Sequence, residues 1–209
     1  MSKAGQNGQQ LERLIYGVEP DDRYIENDSF EYESVKDFPF FKTEFRNARF
    51  ESCRFEKCDF AKTGFFDCVF MDCFFADCKF YESYWKNTSL SGCRADGADF
   101  GESRWRNCAV GDSSFCYANF SKTIWEDHSI SDSIYMGSFI QEARLKRIRL
   151  KNVNLKGADF YKTPLKGINL SDCEIGGITV SENFKELKGA KISAMQAVEL
   201  AEMLGVEFV

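Results

Sequence analysis

The chain has 209 residues, a formal net charge of −6, 44% hydrophobic and 15% aromatic residues, and only three prolines. Such a composition suits a single soluble, elongated domain with short flanking pieces and excludes a low-complexity or strongly basic chain. No apolar run approaches the roughly 20 residues of a membrane span, and MSKAGQNGQQ lacks the apolar stretch of a signal peptide, so cytoplasmic residence without membrane contact is expected.

Residues 1–24 are polar and aperiodic, with one helical turn expected near Leu11–Ile15, and read as an N-terminal cap. Residues 25–182 read as one repeat. From Phe30 to Val180 every fifth residue is apolar, through thirty-one units without an insertion. A period of five matches neither the two of a strand nor the 3.6 of a helix, so it is a structural repeat. Two residues before each centre (position i) the side chain is nearly always small, as at Ala48, Cys53, Cys58, Thr63, Cys68 and Cys73. Positions two apart on an extended chain point the same way. Each unit is therefore a three-residue strand reading in, out, in, followed by a two-residue corner. Volume compensation supports this. The branched residues Ile148, Val153, Ile168 and Ile178 precede the smaller centres Leu150, Leu155, Leu170 and Val180, as a close-packed interior demands.

The units AlaArgPhe (48–50), AlaAspPhe (98–100), AlaAsnPhe (118–120) and AlaAspPhe (158–160) resemble the pentapeptide-repeat family, in which Phe or Leu follows a small residue by two. The resemblance covers residues 30–180. It implies an all-β fold, a right-handed quadrilateral β-helix with four units per coil. Residues twenty apart then stack, and nearly eight coils give a rod roughly 37 Å long. Trp85, Trp105 and Trp125 fall on one face in successive coils.

Eight of the nine cysteines occupy the small i−2 column, and only Cys116 does not. They read as buried filler, in keeping with a reducing compartment. No C-x-x-C pair and a single histidine argue against a metal site. That histidine, His128, falls in the i−2 column, either as a tolerated interior residue or as the mark of a loosened coil. No nucleotide-binding, P-loop or zinc-protease motif is present, so neither catalytic residue nor cofactor is expected.

Residues 183–209 read as a C-terminal helix and strand. Ser193-Ala194-Met195-Gln196 has the S-x-x-Q form of a capping box, Gly205 offers a stop, and Val206–Val209 looks like a short strand. Met195, Val198, Leu200, Leu204, Val206 and Phe208 either seal the last coil, make a two-fold dimer contact, or both. The segment 187–209 is similar to the C-terminal end of the Qnr and MfpA-like branch, in which such a tail mediates dimerisation.

That branch resemblance implies a cytoplasmic homodimer that binds bacterial DNA gyrase or topoisomerase IV. It would do so by mimicking the duplex they grip, moderating fluoroquinolone action without binding nucleic acid directly. The unbroken register places the chain with loop-free members. Charge matches the idea less well than shape. B-DNA carries about one negative charge per 1.7 Å, and this chain totals −6. Asp96, Asp99, Glu102, Asp112, Glu126 and Asp127 are the outward acids that could meet a basic groove, or are ordinarily solvated. Residues 19–37 carry eight acids and two bases; residues 144–166 carry one acid and eight bases, including Arg144, Lys146, Arg147, Arg149 and Lys151. Tyr117, Ile134, Met136 and Phe139, beside Cys116, lie in outward phases. They form an apolar contact face for another cytoplasmic protein, unless an irregular coil near His128 buries them.

Overall fold

A computed structural model describes residues 10–203 and 205–207. A short helix, α1 (Gln10–Ile15), lays Leu11 and Ile15 onto the first coil. Three-residue strands follow: β1 (Tyr24–Glu26), β2 (Ser29–Glu31), β3 (Ser34–Lys36), β4 (Glu44–Arg46), β5 (Arg49–Glu51) and β6 (Arg54–Glu56). Next come β7 (Gly64–Phe66), β8 (Val69–Met71), β9 (Phe74–Ala76), β10 (Tyr84–Lys86), β11 (Ser89–Ser91) and β12 (Arg104–Arg106). The last are β13 (Ala109–Gly111), β14 (Ile124–Glu126), β15 (Ser129–Ser131), β16 (Arg144–Lys146) and β17 (Arg149–Lys151), with helix α2 (Ala194–Met203) near the end.

Every strand up to β15 pairs in parallel with residues twenty further on, so the chain winds through four faces per coil. Sheet A stacks β1, β4, β7, β10, β12, β14 and β16; sheet B stacks β2, β5, β8, β11, β13, β15 and β17. The third face has strands only in β3, β6 and β9 and continues as isolated bridges to Glu174. The fourth face is bridges throughout, from Pro39 to Thr179. Centre residues such as Phe45, Phe65 and Trp85 are fully buried, as the five-residue period predicts.

The corners have their own chemistry. From Asn27 to Gly167 the second residue beyond each centre has φ between +48° and +80°. L-residues adopt that region reluctantly, and Asn, Asp and Gly tolerate it best. This accounts for Asn47, Asp67, Asn87, Gly97 and Asn107 at those positions. The i−2 cysteines are buried and unpaired in disulfides. From Cys53 to Cys93 their thiols donate to a centre carbonyl one coil back: Cys53 to Phe30 at 3.3 Å, Cys68 to Phe45 and Cys78 to Phe55 at 3.5 Å. Burial pushes the Cys68 and Cys108 thiols up to about 11, which leaves them unreactive.

His128 is an interior residue of a regular coil. Its ring is buried, Nδ1 lies 2.9 Å from the Cys108 carbonyl, and β14 and β15 keep their register. Burial pulls its pKa down to about 4, so it is neutral. The tryptophan stack is shorter than the register suggests. Trp85 and Trp105 stack at 4.4 Å and 3°, and their indole N–H groups donate to Ser83 and Ser103. Trp125 is paired in register, but its indole nitrogen has no partner, although Thr123 stands where Ser83 and Ser103 stand in the coils before. His128 packs tilted against both Trp105 and Trp125.

Sheets A and B end at β16 and β17, although the other two faces run one coil further. For sheet A, Pro164 supplies the reason. In each earlier coil the residue before the sheet A centre donates its N–H across the gap: Gly64 to Thr43, Tyr84 to Thr63, Arg104 to Ser83, Ile124 to Ser103 and Arg144 to Thr123. Proline has no N–H to give. Leu145, Ile148 and Leu150, at this end of the two sheets, are only half-buried.

Candidate functional site: the outer faces of the rod

Because the interior is closed and apolar, the outer faces must carry any function. The six outward acids do not form a free anionic surface. Asp96 accepts from the Cys116 amide at 2.8 Å and the Ser114 hydroxyl at 2.5 Å. Asp99 caps its own corner through the Gly101 amide at 2.9 Å and also accepts from Asn119 at 2.7 Å. Glu102, Asp112 and Asp127 all hold the left-handed corner position. Glu102 pairs with Lys122 at 3.7 Å.

Glu126 and Asp127 are taken up by the basic stretch. Lys146 reaches Glu126 at 2.7 Å, and Arg147 bridges Glu126 at 2.9 Å and Asp127 at 2.6 Å. Hydrogen bonds from Lys146 and Arg147 hold Glu126 below its ordinary pKa, and Arg147 does the same for Asp127. Among the described residues only Asp112 of the six has no side-chain hydrogen bond or ion pair. It lines a shallow open depression with Gly92, Arg94, Asp132 and Ile134.

The apolar residues are exposed: Tyr117 by 61%, Phe139 by 45%, Ile134 by 43% and Met136 by 37%. The coil that carries them is regular, which removes the reading in which an irregular coil buries them. Tyr117 lies flat over Gly137; a Cβ there would come within 2.5 Å of its ring. Tyr161, exposed by 41%, extends the apolar surface along the fourth face.

At the rear end the capping box forms as the S-x-x-Q pattern predicts. The Ser193 amide donates to Gln196 Oε1 at 2.8 Å and the Gln196 amide to Ser193 Oγ at 3.3 Å. The same glutamine plugs the last coil, giving Nε2 to the carbonyls of Leu170 and Cys173 at 2.7 and 2.6 Å. Leu200 packs inward against the core, whereas Met195, Val198 and Val206 remain exposed. Gly205, with φ +77°, closes the helix in a left-handed cap, with Val206 N–H bonded to Ala201 O and Gly205 N–H to Glu202 O. Residues 205–207 therefore finish the helix instead of starting the expected strand. Leu204, Phe208 and Val209 lie outside the described residues.

The family model for pentapeptide repeats (8 copies) matches residues 140–172. The other coils follow the same five-residue geometry. Two trypsin-treated variants of QnrB1, a plasmid-mediated fluoroquinolone resistance protein, share the fold at 20% identity. One aligns with a TM-score of 0.57 over 90% of this chain and 99% of its own. The other gives 0.54 over 90% and 98%. No curated protein matches the chain. Among the described residues no helix is long and apolar enough to cross a membrane, and no cluster of His, Cys, Asp or Glu could hold a metal.

Three polar residues at the ends of the rod do not follow from the five-residue phases. Glu33 sits in the inward i−2 column, 3% exposed, with Oε2 unpartnered. Burial pushes its pKa up. Glu186, 1% exposed, ties the rear cap together by accepting from the Lys162 amide at 2.9 Å and the Ser181 hydroxyl at 2.6 Å. Burial opposes its ionisation, but the hydrogen bonds prevail and its pKa is lowered. Gln196 is the third. The Asn/Asp/Gly column two beyond each centre is the legible signal that would have marked Asp112 and Asp127 as corner residues.

Proposed function

We propose that this protein is a non-catalytic, cytoplasmic binder of a bacterial type II topoisomerase, DNA gyrase or topoisomerase IV, and moderates fluoroquinolone action. The observation that carries this reading is an uninterrupted four-faced rod sharing its fold, along nine-tenths of the chain, with a fluoroquinolone resistance protein. Residues 25–182 form the binding rod, 1–24 and 183–209 its caps. Two rods joined through Met195, Val198, Leu200, Leu204, Val206 and Phe208 would extend roughly 75 Å. Mimicry of the duplex then rests on shape, with local contributions from Asp112 and from Asp96, Asp99, Glu102, Glu126 and Asp127 where the partner displaces their present pairings. The test is a supercoiling assay of gyrase with a fluoroquinolone, titrated with this protein. Relief of inhibition, or inhibition by the protein itself, supports the reading; no effect at micromolar protein ends it.

A second reading is a scaffold for another cytoplasmic protein, favoured by the exposed Tyr117, Ile134, Met136 and Phe139. Capture of a non-topoisomerase partner that is lost in Tyr117→Ser/Met136→Ser would select it.

A further inference from the structure

The outward side of sheet B is complementary to itself when reversed end for end. Its seven strands are centred on β11, with β2 and β17 at the two edges. At one edge the outward pair is Ser29 and Glu31, at the other Arg149 and Lys151, and all four are exposed. Among the described residues neither Glu31, Arg149 nor Lys151 joins an ion pair, whereas Arg49 and Glu51 next to the acidic edge already pair at 2.9 Å. Apart from that internally paired Arg49 and Glu51 on β5, the outward side chains between the edges are uncharged. They are large on β8 (Val69, Met71) and nearly absent on β13 (Ala109, Gly111).

Turning a second rod about an axis parallel to the strands lays β2 on β17, β8 on β13 and β11 on its own copy. Glu31 then meets Lys151 and Arg149 at both ends. The bulk of Val69 and Met71 falls over Ala109 and Gly111. We infer that sheet B is a second self-association surface, occupied by another copy of this chain running antiparallel to the first. This surface is separate from residues 193–209 and does not depend on the topoisomerase reading. Seven strands about 4.8 Å apart and about 10 Å long cover roughly 340 Å² per copy. The total, about 700 Å², is below the roughly 1,200 Å² of stable interfaces, so the association is weak, steered by charge and sensitive to salt.

Sedimentation equilibrium on the full chain tests this, with Met195→Asp and Val198→Asp introduced to disable the C-terminal contact. The expected result is a monomer–dimer equilibrium whose Kd rises about tenfold or more between about 0.05 M and 0.5 M salt. In the same background Arg149→Glu/Lys151→Glu carries acid at both edges and Glu31→Lys carries base at both, so each alone is monomeric. Their equimolar mixture regains the dimer. Unchanged far-ultraviolet circular dichroism shows that each variant is folded. A monomeric parent in this background, or a mixture no more associated than its components, overturns the inference.

Discussion

The front coils and the rear coils obey one five-residue rule but fill their interior differently. On the fourth face Phe40, Phe60, Phe80, Phe100 and Phe120 stack in one column, with centroids 4.5 to 4.9 Å apart and planes within 6°. The strand spacing of about 4.8 Å suits parallel aromatic rings, so identical residues twenty apart fill the front without gaps. Behind Trp125 the centres are mostly Ile and Leu, and they enclose a wholly apolar cavity with room for the centre of about one water molecule, 10 Å³. A void of that kind stays dry and forfeits contacts on one side of every lining residue. Corner chemistry shifts too. In the front the third face is strand, and Cys58 and Cys78 give their thiols to neighbouring carbonyls. From Ala98 onward the corner closes on itself, with Ala98 N–H to Ala95 O and, in the rear, Ala158 N–H to Leu155 O, and a side-chain donor becomes unnecessary. The same rod thus has a tightly determined end and a looser one, the latter beside the unpaired edges of β16 and β17.

Four experiments would break or sharpen that contrast. The largest effect is expected from Phe60→Ala, which removes a ring stacked on both sides and costs about 4–5 kcal/mol by denaturant unfolding. Leu155→Ala, beside the rear cavity, should cost about 2–3 kcal/mol; equal losses would erase the distinction. His128 gives the next effect. Its folded pKa of about 4 lies below the unfolded 6.5, so the unfolded chain binds the extra proton between these values. Stability is then lost as pH falls from 6.5 to 4, by about 3 kcal/mol from this residue. The parent's pH slope should exceed that of His128→Ala by that amount.

Amide exchange reads the unpaired edges directly. The amides of Leu145, Arg147 and Leu150 should exchange faster than those of Trp125, Asp127 and Ile130, their equivalents one coil earlier. Equal protection would mean that the rear coil closes over β16 and β17. The smallest effect is at the terminus: Gly205→Ala forces a Cβ into the left-handed cap and should lower the unfolding free energy by about 1 kcal/mol.

Much of the fold was legible because a repeat states its rule many times. The columns through Phe45 and Cys53 determine what points inward, and Ser193 with Gln196 announces the helix start by local hydrogen bonding alone. The outer faces were harder. Asp96, Asp99 and Asp127 look like free acids in sequence, but their partners Cys116, Asn119 and Arg147 lie about twenty residues away and meet them only once the chain coils. Glu33 and Glu186 were missed for a related reason: Glu33 lies against the backbone of Gln10 in α1, and Glu186 sits in the rear cap with donors from Lys162 and Ser181.

By itself the sequence determined a closed rod of five-residue units, its apolar lining and its thiol-filled inner column, since each follows from a neighbour at fixed spacing. Tertiary structure alone decided where sheet A stops: one missing N–H at Pro164 matters only opposite the carbonyl row of the preceding coil. It also decided which surface charges remain free, because pairing depends on distances across coils that spacing along the chain does not contain.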